Sequence, residues 1–81
     1  MFVPIVFSDH ARSQFKKRKI PQSLVIKVVE NPYKIMLSFL DRKLRQRRIG
    51  GKILEVVTKT EGSKITVVTG YYLEENYENE V

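Results

Sequence analysis

The run RKLRQRRIGGKILEVVTKT, residues 42–60, reads as a β-hairpin. Gly50-Gly51 suits a two-residue turn with positive φ, and the strands either side are Arg42–Ile49 and Lys52–Thr60. Downstream, Glu61-Gly62-Ser63 makes a second turn into Lys64–Leu73, the most β-prone stretch, with Ile65, Val67, Val68, Tyr71 and Tyr72. Upstream, Lys34–Leu40 is a further strand rich in Ile, Leu and Phe.

Before Tyr33 the hydrophobic period is helical. Leu24, Val25, Val28 and Val29 give a helix over Gln22–Glu30 an apolar face, and Asn31-Pro32 stops it. Asp9–Lys19 is a first helix with Ser8 as N-cap; Ala11, Phe15 and Arg18 share its only stripe, so it buries little. Ile20-Pro21 interrupts it, because proline disfavours helical geometry in the residue before it. Val3–Phe7 is a short strand in which Pro4 requires an edge or a strand start. The fold class is α+β: a strand, then two N-terminal helices packed on a four-stranded antiparallel sheet.

A tight turn at Gly50-Gly51 sets Arg47 opposite Leu54 and Arg45 opposite Val56. The second turn sets Val56 opposite Val67 and Leu54 opposite Thr69. One face then carries Arg45, Arg47, Leu54, Val56, Val67, Thr69 and Tyr71, and the other Leu44, Arg48, Ile53, Val57, Val68 and Tyr72. Both faces are mixed, so the helix-covered one stays open, and a one-residue bulge would exchange the faces of one strand.

Eighty-one residues make one small domain. Without cysteine and with one histidine, no disulfide braces it and a structural zinc site is close to excluded; no other metal motif or cofactor loop stands in the sequence. No apolar run approaches the ~18–20 residues of a membrane span. The apolar start, Met1–Phe7, lacks a basic leader and a small-residue cleavage site, so a cytoplasmic home is expected. Charge is the strongest global signal. Four of nine acids lie in residues 74–81, leaving five against 15 Lys and Arg, so residues 1–73 form a basic body of +10 followed by an acidic tail. Such a body attracts polyanions, RNA or DNA above all; a merely solubilising surface is the plainer alternative.

Arg42, Arg45, Arg47 and Arg48, with Lys43 among them, lie on one strand. Planar guanidinium groups bind phosphate in a fork, and with Tyr71 or Tyr72 nearby they suit single-stranded RNA. A charge-protected edge strand explains them equally well. His10, in the first helical turn, is placed where the helix dipole favours its neutral form, a candidate base for a 2′-hydroxyl; a packing role is the plainer alternative. Thr69 and Tyr71 alternate and share a face, so Thr69 could bond a phosphate and Tyr71 stack a base or donate a proton.

His10-Ala11-x-x-Gln14-Phe15-x-x-Arg18-Lys19-Ile20, Val25-x-x-Val28-Val29-x-Asn31-Pro32 and Val67-Val68-Thr69-x-Tyr71 together resemble a family of small uncharacterised domains over about residues 7–73. That family is similar to the RelE/ParE-like toxins and, more distantly, to metal-independent ribonucleases of the same two-helix, four-strand plan. The resemblance implies a toxin-like protein directed at RNA or the ribosome, either an endoribonuclease or a toxin partnered by an acidic antitoxin, with a homodimer also allowed. Some relatives of this fold poison DNA gyrase instead. It places His10, Arg18 and Thr69 or Tyr71 on the family's recurring polar positions. Gln14 stands where an arginine is usual, and Lys19 where a glycine is usual at the inter-helix turn. The alternative function is a non-catalytic module that grips nucleic acid or an antitoxin.

Overall fold

The computed structural model describes residues 3–74. The order is β1 (Ile5–Phe7), α1 (Asp9–Arg18), α2 (Gln22–Glu30), β2 (Lys34–Leu37), β3 (Arg42–Ile49), β4 (Lys52–Glu61) and β5 (Lys64–Glu74). The α+β class holds, but the sheet is five-stranded and mixed, ordered β1-β5-β4-β3-β2. β2 to β5 form the expected antiparallel meander, and β1 joins its far edge parallel to β5, with Ile5, Val6 and Phe7 beside Ile65, Thr66 and Val67. The expectation of four strands is corrected because Pro4 stands just outside β1, where its carbonyl accepts from the Ile65 amide at 2.9 Å and its missing N–H is not needed. Of the acidic tail, residues 75–81 lie outside the described residues.

β3 pairs with β4 as the hairpin reading required, Arg47 with Leu54 and Arg45 with Val56, and Gly50 takes the left-handed backbone at φ 64. β4 and β5 depart from it. A bulge between Val57 and Thr58 makes Val67 the partner of Thr58 and Thr69 the partner of Val57, so Val68 is the extra residue. Beyond the bulge β5 is turned over: Gly70 lies across from Val56 and Tyr71 from Glu55. Thr69 and Tyr71 therefore share the face of Leu44, Arg48 and Ile53, not that of Arg45 and Arg47.

The helices cover the face of Leu54, Val56 and Val67. α1 packs on β5, and α2 on β3 and β4. Ala11, Phe15, Ile20, Val25, Val28 and Val29 meet those strand residues in one core. β2 is shorter than expected because Leu40 and Asp41 both adopt left-handed backbone, at φ 61 and 59, and turn the chain into β3. Its apolar side chains are not core: Ile35 is 50% and Leu37 83% exposed.

Ser8 caps α1 as expected, its Oγ accepting from the Ala11 amide at 3.1 Å. The other end of α1 closes with the Ile20 amide on the Phe15 carbonyl and the Lys19 amide on that of Lys16, with Ile20 and Phe15 both buried. This closure sets Lys19 at φ 59, a conformation that any side chain with a Cβ resists. Lys19→Gly is expected to raise stability by about 1 kcal/mol, and hence Tm by roughly 4–8 °C. Urea and thermal unfolding read the change directly, and an unchanged midpoint would show that Lys19 carries no strain.

Candidate nucleic-acid interface

Along β3 the side chains alternate, and the two sets of arginines have different surroundings. Arg45 and Arg47 point toward the helices. Asn31-Pro32 ends α2, so its last carbonyls need outside donors. Arg45 Nη1 donates to the Val29 carbonyl at 3.2 Å, and Arg47 Nη1 to that of Asn31 at 2.8 Å. Arg45 Nε also donates to Thr58 Oγ1 at 3.0 Å. Burial lowers the Arg45 pKa from its ordinary value. These two arginines act first as the clamp that fastens α2 to the sheet. Arg42, at the start of β3, is half-buried, and its Nε is buried without a hydrogen-bond partner among the described residues.

Past Gln46 the sheet leaves β3 exposed. β2 begins at Lys34, opposite Gln46, so, among the described residues, positions 47–49 have no neighbour strand on that side. Tyr33 stands at this step, its amide on the Gln46 carbonyl at 2.9 Å. There Arg47 and Arg48, from opposite faces, come round to Tyr33 and bound a hollow of about 270 Å³. The Arg48 guanidinium lies 6.0 Å from the Tyr33 ring centroid, and the ring is 48% exposed. The Tyr33 hydroxyl donates to Gln46 Oε1 at 3.4 Å, which fixes the ring's outer end. Two cations and an accessible aromatic face in one hollow can hold a phosphate and stack a base. Tyr33 was not singled out from the sequence. Its signal is weak: an aromatic residue just after a helix-ending Asn-Pro.

Behind this hollow, on the face away from the helices, polar side chains run across the sheet. Gln46 Nε2 donates to Glu55 Oε1 at 2.6 Å, and the Tyr71 hydroxyl donates to Glu55 Oε2 at 2.5 Å. Glu55 and Gln46 are both buried. Burial, the hydrogen bond to Glu55 and the charge of Glu55, against a smaller opposing effect of Arg18, push the Tyr71 pKa up to about 12. A hydroxyl held in this way is a poor proton donor near neutral pH.

The remaining sequence candidates lie on α1 and β5. The Ser8 amide bonds the Val67 carbonyl at 3.1 Å and Ser8 Oγ the Val68 carbonyl at 3.3 Å, which seats the first turn of α1, with His10, at the bulge before Thr69. His10 is exposed and makes no hydrogen bond or ion pair among the described residues. At the other end of the helix, Arg18 Nη1 donates to the Gly70 carbonyl at 2.6 Å. Eight residues of helix, about 12 Å of rise, separate His10 from Arg18. The structure thus sets His10 and Arg18 at opposite ends of α1 beside β5, turns Thr69 and Tyr71 to the other face of β5, and places Arg42, Arg45, Arg47 and Arg48 on another part of the sheet. The described residues hold no group of three or more His, Cys, Asp or Glu side chains able to bind a metal, and no described helix is long and apolar enough to cross a membrane.

A protein-family model described as a domain of unknown function, DUF4258, matches residues 7–72. The chain belongs to this family. The matched segment runs from the end of β1 through nearly all of β5 and so contains both helices, the Tyr33 hollow and the α1–β5 seam. Neither the curated proteins nor the solved structures contain a match to the chain.

Proposed function

We propose that this DUF4258 domain interacts with RNA as a toxin-like protein and grips a single strand at the hollow of Tyr33, Arg47 and Arg48. The convergence of two guanidinium groups and an accessible ring where β3 outruns β2 carries the reading. The basic body supplies long-range attraction, and exposed Arg12, Lys16, Lys17, Arg18 and Lys19 on α1 add to it. The preference for RNA over DNA comes from the likeness to RelE/ParE-like toxins, whose two-helix plan the meander β2–β5 suits. RNA, the ribosome and an acidic antitoxin are the partners that this reading implies.

Fluorescence anisotropy with a labelled single-stranded RNA of about ten nucleotides tests it. Affinity should fall steeply with salt, and Tyr33→Leu or Arg48→Gln should weaken binding roughly tenfold. Lys59→Gln removes the same charge from an exposed site on β4 and should cost much less. If it costs as much as Arg48→Gln, net charge alone binds RNA and the hollow is not a site.

One observation favours a second, catalytic reading: the first turn of α1 is fastened beside Thr69. In a metal-independent endoribonuclease, His10 would take the proton of the 2′-hydroxyl as that oxygen attacks phosphorus. The 5′-oxygen then leaves and takes a proton from solvent water, giving a 2′,3′-cyclic phosphate and a 5′-hydroxyl. Cleavage of RNA in EDTA that is lost in His10→Ala supports this reading; intact RNA with binding retained leaves a non-catalytic module.

A further inference from the structure

On the helix side of the sheet, Val3, Ile5, Ile65, Val29, Glu30, Asn31 and Arg45 line a cavity of about 480 Å³. Val3, Ile5, Val29 and Ile65 form its aliphatic side, and Glu30, Asn31 and Arg45 its polar side. Arg45 is the only cation among the described lining residues and is 9% exposed. A guanidinium carries five N–H donors. Arg45 uses two, Nε on Thr58 and Nη1 on the Val29 carbonyl, and both acceptors are neutral. It makes no ion pair among the described residues, although a buried charge ordinarily has a counter-charge. The Nη2 amino group and one N–H of Nη1 remain as donors for an acceptor such as a carboxylate. Glu30, the lining acid, is exposed at the end of α2 and does not pair with Arg45.

We infer that this cavity binds an organic monocarboxylate with an apolar body, its carboxylate on Arg45 and its carbon chain along Val3, Ile5 and Ile65. A single guanidinium matches one negative charge, whereas a phosphate dianion favours a second cation, and the described lining holds none besides Arg45. The volume accommodates a medium-sized ligand, and the clamped arginine is already held in place by Thr58 and α2. The carboxylate can belong to a free acid or to the C-terminal residue of a polypeptide.

Amide NMR spectra titrated with octanoate test the inference, with octanol as the neutral control. Saturable shifts at Val29, Glu30, Asn31 and Ile65 are expected, with a Kd on the order of 0.1–1 mM and octanol about tenfold weaker. Arg45→Met, which keeps the stem and removes the charge, should abolish the preference for acid over alcohol. Because that change also removes two hydrogen bonds from the clamp, Val3→Trp is the second variant. Val3 is 50% exposed outside β1, and an indole there should obstruct the mouth and weaken octanoate at least tenfold with the fold intact. An acetyl-Ala-Leu peptide as free acid, compared with its amide, distinguishes the sources. A peptide acid that binds more tightly than octanoate points to a polypeptide terminus. Equal binding of octanoate and octanol, unaltered binding in Val3→Trp, or no shift from either acid would overturn the site.

Discussion

Gly70→Ala is expected to destabilise the domain by about 2 kcal/mol and lower Tm by roughly 8–16 °C, an outsized effect for one methyl group on a strand. A Cβ at residue 70 would lie 2.7 Å from Phe15 Cε1, 2.9 Å from Cζ and 3.2 Å from the Glu55 carbonyl oxygen. The ring cannot readily yield. Phe15 is 2% exposed, it meets Phe7 edge-on at 6.0 Å, and the turn after α1 fixes its backbone. Elsewhere in a strand the same change would be neutral or helpful, because glycine weakens strands. Phe15→Leu alone should cost about 1–2 kcal/mol as a ring is lost from the core. The double variant should be more stable than the two separate losses predict by at least about 1 kcal/mol, since leucine vacates the space that the new methyl needs. Urea unfolding of the four proteins measures this coupling. A Gly70→Ala domain within about 0.5 kcal/mol of the parent would show that the ring moves freely and that the glycine is incidental.

Gly70 also shows how far the sequence could be read. A glycine inside the β-prone run Lys64–Leu73 signals close approach of something to the backbone, and Phe15 is what approaches. The Gly50-Gly51 hairpin was legible because a two-residue turn sets register by itself, and the arginine pairings follow from it. The register of β5 was not. It depends on Val68 being extruded at the bulge, a choice made by packing Val67 and then Gly70 toward α1, which no local pattern encodes. That one residue moves Thr69 and Tyr71 from the face of Arg45 and Arg47 to the face of Glu55. The pairing of β1 was equally hidden, because three residues joined parallel to a strand some sixty positions away leave no periodic trace.

The arginines divide along the same line. Their number and alternation were visible. That Arg45 and Arg47 fasten the end of α2, while Arg47 and Arg48 converge on Tyr33, follows from where β2 starts and where α2 stops. A charge pattern predicts attraction to polyanions, whereas the Tyr33 hollow is made by strand lengths.

Glu55→Leu should show what the polar row contributes, and it has two readouts. The substitution keeps bulk in a buried position but removes the acceptor of both Gln46 Nε2 and the Tyr71 hydroxyl. Leaving two donors poorly satisfied should cost about 2–4 kcal/mol. The second readout is the alkaline titration of tyrosine, followed by absorbance near 295 nm. In the folded parent Tyr71 holds its proton to about 12, against 10.0 for an unperturbed tyrosine. The folded state therefore binds a proton that the unfolded chain releases. The stabilisation is complete below about pH 10 and is lost as pH rises toward 12. Burial is the largest cause of the shift and survives the substitution, whereas the hydrogen bond to Glu55 and its charge do not. The Tyr71 titration should thus move back toward 10 without reaching it, and Tyr71→Phe should remove the late step altogether. The same loss should loosen Tyr33, whose hydroxyl bonds the other end of Gln46, and weaken RNA binding several-fold although Glu55 lies outside the hollow. A late titration that persists unchanged in Glu55→Leu would mean that burial alone holds the Tyr71 proton and that the row does not couple the two tyrosines.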